Sequence, residues 1–160
     1  MGKSNVEKEE ITIEKAGDKD LKKIIELYKQ LNTNVNFEKI DKIILDDLWS
    51  NIKRNRSINI FILKKNKDII ATCTLVIIYN IAQGGKPNAL IESFITDAKH
   101  RNKGYGTMLL KYIIELAEDF GCHKIMLMVK LENNKAKSFY EKMGFNSGIR
   151  DSLSMIISPL

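Results

Sequence analysis

An apolar, strand-like run, Ala89–Thr96, leads through the loop His100-Arg101-Asn102-Lys103-Gly104-Tyr105-Gly106 into an amphipathic stretch from Tyr105 to Phe120. This succession constrains the chain more than any other feature. A strand feeding a helix through a glycine loop turns the N–H groups of the helix start, and the positive end of its dipole, toward an anion. Gly104 and Gly106 allow a tight turn and a close backbone approach to a ligand. Two familiar phosphate loops are excluded. The dinucleotide pattern needs a third glycine where Leu109 stands and a βαβ unit with an acidic residue about twenty positions on. The nucleoside-triphosphate loop needs lysine after its second glycine, whereas Lys103 precedes Gly104, and Gly2-Lys3-Ser4 has no strand before it.

Hydrophobic periodicity orders the rest. Ile11–Ile13 alternates as a short strand, and Asp18 caps a helix with Leu21, Ile24, Ile25, Tyr28 and Leu31 on one face. A second helix starts near Phe37 and carries Phe37, Ile40, Ile44, Leu48 and Ile52 as its stripe, with Trp49 beside it as a packing residue. Ile58–Leu63 and Ile69–Tyr79 are β-branched strands joined by a Lys64–Asp68 turn, so they pair antiparallel. Asn80–Asn88, with Gly84-Gly85-Lys86-Pro87, reads as a loop before the Ala89–Thr96 strand. After the long helix come a strand at Lys124–Val129, a short helix at Ala136–Met143 and a last strand at Leu153–Ile157. The expectation is an α/β fold: a mixed, mostly antiparallel sheet of six to seven strands, helices on both faces, and one parallel pair flanking the long helix. Residues 11–160 read as one domain behind a charged tail at 1–10, since no repeat or linker divides them.

The 160-residue chain, 44% apolar and 29% charged, suits one soluble core. No apolar run reaches membrane-spanning length, MGKSNVEKEE is too charged for a secretory leader, and Val6 breaks a myristoylation pattern, so cytoplasm is the expected compartment. Cys73 and Cys122 are too few for a disulfide framework. Neither they nor His100 and His123 have metal-ligand spacing, so no metal is expected. The net charge of +6 suits an anionic partner. Its basic residues gather at Lys99, Arg101 and Lys103 and at Lys130, Lys135 and Lys137, without the interleaved aromatics of a base-stacking surface, which argues against nucleic acid.

About thirty residues past the glycine loop stands Asn133-x-x-Ala136-x-x-Phe139-Tyr140-x-x-x-Gly144-Phe145. The two blocks together resemble the GCN5-related N-acetyltransferase superfamily, over a span from about Ile11 to the end of the chain. The resemblance implies that the parallel pair, Ala89–Thr96 and Lys124–Val129, splays apart around acetyl-CoA as co-substrate. It implies that the pyrophosphate takes backbone N–H groups of Arg101, Asn102, Lys103, Gly104, Tyr105 and Gly106, with the Thr107 hydroxyl in reach. The pantetheine arm would add like a strand to Phe94, Ile95 and Thr96. Asn133 would orient that arm or cap the short helix, and Lys137 adds a basic group beside the cofactor.

The implied reaction is acetyl transfer to a primary amine by direct attack. Glu92 is the candidate base, because a carboxylate among Leu90, Ile91, Phe94 and Ile95 suits removal of an ammonium proton, and period two sets it on the face of Phe94, opposite Ile91 and Ile95. Its surroundings are similar to the Ile-Glu-Asp/Asn-Val-Val segments of glucosamine-6-phosphate N-acetyltransferases, with Ser93 replacing the Asp or Asn. The alternative for Glu92 is an exposed or ion-paired side chain. Tyr140 is the candidate acid for the departing thiolate, its alternative being packing beside Phe139. A non-catalytic acyl-CoA-binding regulatory module is the competing reading. The acceptor, a small-molecule amine or a peptide amine, would meet Phe37–Arg54 and Asn80–Asn88, where Lys86 suits a phosphate, and a homodimer stays open.

Overall fold

The computed structural model describes residues 9–148, in the order β1 (Ile11–Lys15), α1 (Leu21–Leu31), α2 (Lys42–Arg54), β2 (Ile58–Lys65), β3 (Asp68–Ile78), β4 (Asn88–Thr96), α3 (Tyr105–Asp119), β5 (Lys124–Leu127) and α4 (Asn134–Lys142). The chain divides into two compact units, Met1–Met126 and Leu127–Leu160. The strands make one five-stranded sheet in sequence order, antiparallel from β1 to β4 with a parallel β4–β5 pair. The expected mixed sheet is therefore present. Five of the expected strands lie among the described residues; the strand expected at Leu153–Ile157 lies outside them.

In the first unit, alternation along the strands divides the core between the two sheet faces. Ile60 and Ile62 of β2, Ile69 of β3 and Ile95 of β4 join Ile24 and Leu27 of α1 and Trp49 of α2 in one buried cluster. The other face receives α3, which buries Leu109, Leu110 and Ile113 completely and sets Tyr112 edge-on to Phe61 with ring centres 5.6 Å apart. The β2–β3 turn is two residues long, Asn66 and Lys67. Asn66 takes a φ of 57°, which asparagine tolerates better than most residues.

The first two helices start later than their apolar patterns suggest. Asp18 does not cap α1: it opens a 3-10 turn, Asp18–Asp20, and α1 follows from Leu21. The Asp18 carboxylate instead accepts a 2.8 Å hydrogen bond from the Trp49 indole and pairs with Lys53 of α2. Phe37 likewise sits in a 3-10 turn, and Asp41 starts α2 by accepting the Ile43 N–H at 2.7 Å. The buried stripe of α2 is also corrected. Ile43, Ile44 and Leu48 are exposed at 73%, 63% and 53%, whereas Trp49 is 6% exposed and Ile52 packs against the core. Two stripes overlap in this sequence, and the one containing the large indole, whose N–H finds Asp18, faces inward.

Candidate active site

The loop between β4 and α3 is held from behind. The Arg101 guanidinium donates to the Thr96 carbonyl at 3.0 Å, tying the loop to the strand end, and the Lys103 ammonium donates to the Lys99 carbonyl at 3.2 Å. Asp97 accepts from the Lys99 N–H at 2.9 Å, and Gln30 of α1 accepts from Ala98 N–H at 3.0 Å. The Asp97 carboxyl lies below its ordinary range: burial works to raise it, and the Lys99 N–H, Gln30, His100 and Lys23 together outweigh that. The backbone itself carries the turn at Asn102, with a φ of 59°, and at Gly104, with a φ of 85°.

Gly104 is the residue before α3, so no side chain caps this helix. The first intrahelical bond at this end runs from Met108 N–H to the Gly104 carbonyl at 3.0 Å, which leaves the N–H groups of Tyr105, Gly106 and Thr107 without a helical acceptor. A Cβ built on Gly104 meets nothing within 4 Å. An open approach, uncapped N–H groups and Lys99, Arg101 and Lys103 alongside fit a polyphosphate. Gly106 lies within the first helical turn of α3. Tyr105 contributes through its backbone: its ring is 8% exposed, its hydroxyl donates to Glu9 at 3.5 Å and the Lys65 ammonium stands 5.8 Å from the ring centre. Lys65 also hydrogen-bonds Glu9 and holds that carboxyl below its usual range.

Strand β4 contains a feature that period two cannot express. Thr72 of β3 is opposite Ile95 and Thr74 is opposite Glu92, so two steps on β3 match three on β4. The extra residue is a β-bulge, and Ser93 within it has a φ of 50°. A non-glycine residue in that region costs on the order of 1–2 kcal/mol. The bulge reverses the expected alternation: Glu92 and Ile95, paired with Thr74 and Thr72 on one side of β3, share a sheet face, and it is the face that α1 covers. Glu92 is half-buried there.

Beside the parallel pair, the His123 N–H donates to the Pro87 carbonyl at 2.7 Å. β5 is four residues long against nine in β4.

In the second unit, Asn133 caps α4 by accepting the Ala136 N–H at 3.1 Å, which realises one of its two expected roles. The end of α4 explains Gly144-Phe145. Phe145 N–H reaches the Tyr140 carbonyl at 3.1 Å and Gly144 N–H the Glu141 carbonyl at 3.0 Å, with Gly144 at a φ of 92°. This is a Schellman ending, accompanied by its usual apolar contact: Tyr140 meets Phe145 edge-on with centres 5.7 Å apart, and Phe139 at 5.1 Å. Tyr140 is half-buried, and Lys137 is exposed on the same helix.

Periodicity missed Tyr28 as anything but core. Its hydroxyl lies 3.4 Å from Thr74 Oγ1, across from the register partner of Glu92. Around the expected acceptor segments, two open depressions of about 400 Å³ occur, one lined by Ser50, Lys53 and Arg54 and one by Lys29 and Thr33–Glu38. Lys86 is exposed in the loop before β4. Among the described residues no cluster of His, Cys, Asp and Glu could hold a metal ion, and no helix is long and apolar enough to cross a membrane.

The chain is similar to several known proteins. A probable glucosamine 6-phosphate N-acetyltransferase 2 of Oryza sativa subsp. japonica is 30% identical over 77 residues, which are 48% of this chain and 45% of the rice protein. The chain thus matches less than half the length of that relative. The solved structure of a transcriptional regulator from Bacillus halodurans C-125 superposes with a TM-score of 0.84 at 23% identity, over 92% of this chain and all of that one. Glucosamine-6-phosphate N-acetyltransferase from Arabidopsis thaliana does so with a TM-score of 0.78 at 24% identity, covering 93% and 99% of the two chains. These two similarities concern the fold. The model of the acetyltransferase (GNAT) family matches residues 20–145, a stretch that includes the uncapped start of α3, the bulged β4 and the Asn133–Phe145 block. By that match the chain belongs to the acetyltransferase (GNAT) family.

Proposed function

We propose that this protein is an acetyl-CoA-dependent N-acetyltransferase that moves an acetyl group to a primary amine by direct attack. The observation that carries this reading is the start of α3, where Gly104 leaves the first-turn N–H groups uncapped and open to a polyphosphate. Arg101 to Gly106 and Thr107 would hold the pyrophosphate, Phe94, Ile95 and Thr96 would pair with the pantetheine amides, and Asn133 and Lys137 would flank the cofactor. Acetyl-CoA supplies the acetyl group and leaves as the thiol. Glu92 takes the proton of the acceptor ammonium, and the Tyr140 hydroxyl gives its proton to the departing sulfur.

The name of the rice relative suggests an amino sugar phosphate as acceptor, and the exposed Lys86 supports that chemistry. Release of the CoA thiol from acetyl-CoA, measured across glucosamine 6-phosphate, glucosamine, a polyamine and an aminoglycoside, tests both points. Turnover with at least one amine is expected, with glucosamine 6-phosphate preferred to glucosamine. Tight acetyl-CoA binding without thiol release on any amine would contradict transfer and favour the non-catalytic module.

A further inference from the structure

The bulge in β4 brings a second polar group to the side of the sheet where Glu92 lies. Tyr28 projects from α1, whose Ile24 and Leu27 are buried in the adjoining cluster, and its ring packs against that cluster. Its hydroxyl ends 3.4 Å from Thr74 Oγ1. Thr74 is the direct cross-strand partner of Glu92, and cross-strand partners project from the same face with Cβ atoms about 5 Å apart. Three oxygen-bearing side chains, from α1, β3 and β4, therefore lie on one face of the sheet, half-buried and near the strained Ser93.

We propose that Tyr28 is an acceptor-binding residue: its hydroxyl, with that of Thr74, receives the N–H groups of a small primary amine and holds the nitrogen against Glu92. This rests on the reading of Glu92 as the group that takes the ammonium proton. The phenol and the threonine hydroxyl can each accept a hydrogen bond, and the ionised carboxylate only accepts, so the set complements an ammonium group and the carboxylate disfavours an anion. Burial pushes the Tyr28 phenol above its ordinary value, and hydroxyl contacts from Thr74, Thr72 and Ser93 only partly offset it, so it stays neutral. It is thus suited to bind the amine and unsuited to act as the base.

The test compares wild type with Tyr28→Phe, which keeps the ring and its packing, and with Thr74→Val, which removes the neighbouring hydroxyl while leaving Tyr28 intact. Acetyl-CoA binding is measured by the rise in melting temperature, and steady-state constants are taken for the best amine of the panel. The expected result is a rise in amine KM of about five- to tenfold in Tyr28→Phe, the loss of one hydrogen bond. Thr74→Val should move the same way, and the acetyl-CoA KM and the acetyl-CoA melting shift should not change. A lowered melting temperature with unchanged amine KM in both variants would make the Tyr28–Thr74 contact purely structural and overturn the proposal. Equal changes for both substrates would overturn it as well. In either case a wild type that still turns over amines leaves the transfer reading standing, whereas a wild type that binds acetyl-CoA and acetylates no amine sinks both together.

Discussion

At the scale of single residues, the proposed reaction gives the base to Glu92 and the acid to Tyr140, and substitutions that preserve shape separate these roles. Tyr140→Phe keeps the edge-on contacts with Phe139 and Phe145 that close the Schellman ending of α4, so the helix should be undisturbed. The expected outcome is a fall in kcat of about 10²-fold or more with acetyl-CoA affinity little changed, as for removal of a proton donor. Glu92→Gln keeps the strand and the bulge. Its rate should fall most at neutral pH and recover in part as pH rises, because more of the amine then arrives already deprotonated. A pH-independent loss would make Glu92 a structural group. The sequence named both residues by resemblance and by type. It misjudged the surroundings of Glu92, because strict alternation places Glu92 and Ile95 on opposite faces and one inserted residue at Ser93 puts them together. Nothing local in Glu-Ser-Phe announces that a serine will adopt a φ of 50°. Tyr28 was illegible for a different reason: its spacing on α1 shows only that it faces inward, and the meeting with Thr74 is made by folding.

At the scale of elements, the strands and helices were legible because their periods are strong, and the exceptions were capping and helix rotation. In α2 the pattern Ile40, Ile44, Leu48 competes with one through Trp49 and Ile52, and hydrophobicity alone does not choose. The choice is made by Asp18, which joins the turn before α1 to Trp49 and Lys53 of α2. Its carboxyl is held below the ordinary range, first by the hydrogen bond from Lys53 and then by that from Trp49, against a smaller desolvation effect. For an acid whose folded value is depressed, the stabilisation is present above the unfolded value and is lost as pH falls through the folded one. The melting temperature of the wild type should therefore drop as pH falls below about 4. Asp18→Asn should be less stable at pH 7 and show a shallower acid limb. Parallel acid limbs in the two proteins would show that Asp18 does not clamp α2.

For the whole molecule, the division of labour follows the family match. The matched stretch at residues 20–145 contains the uncapped helix start, the bulged strand and the Asn133–Phe145 block. The first and the last depend on local backbone demands that a sequence motif can encode: a glycine at positive φ before α3, another after α4, and an asparagine cap. The proposed acceptor side rests on side chains of α1, β3 and β4, which no short motif records. Cofactor binding is accordingly the most direct test of the account. Calorimetric titration of acetyl-CoA into wild type and Gly104→Val isolates it, since the added Cβ meets no neighbour within 4 Å. The strain at φ 85° should cost on the order of 1–2 kcal/mol of stability and leave the protein folded. The account predicts that wild type binds acetyl-CoA and that the variant, with a normal unfolding transition, binds it at least tenfold more weakly. Equal affinities in two folded proteins would contradict the assignment of the α3 start as the phosphate site.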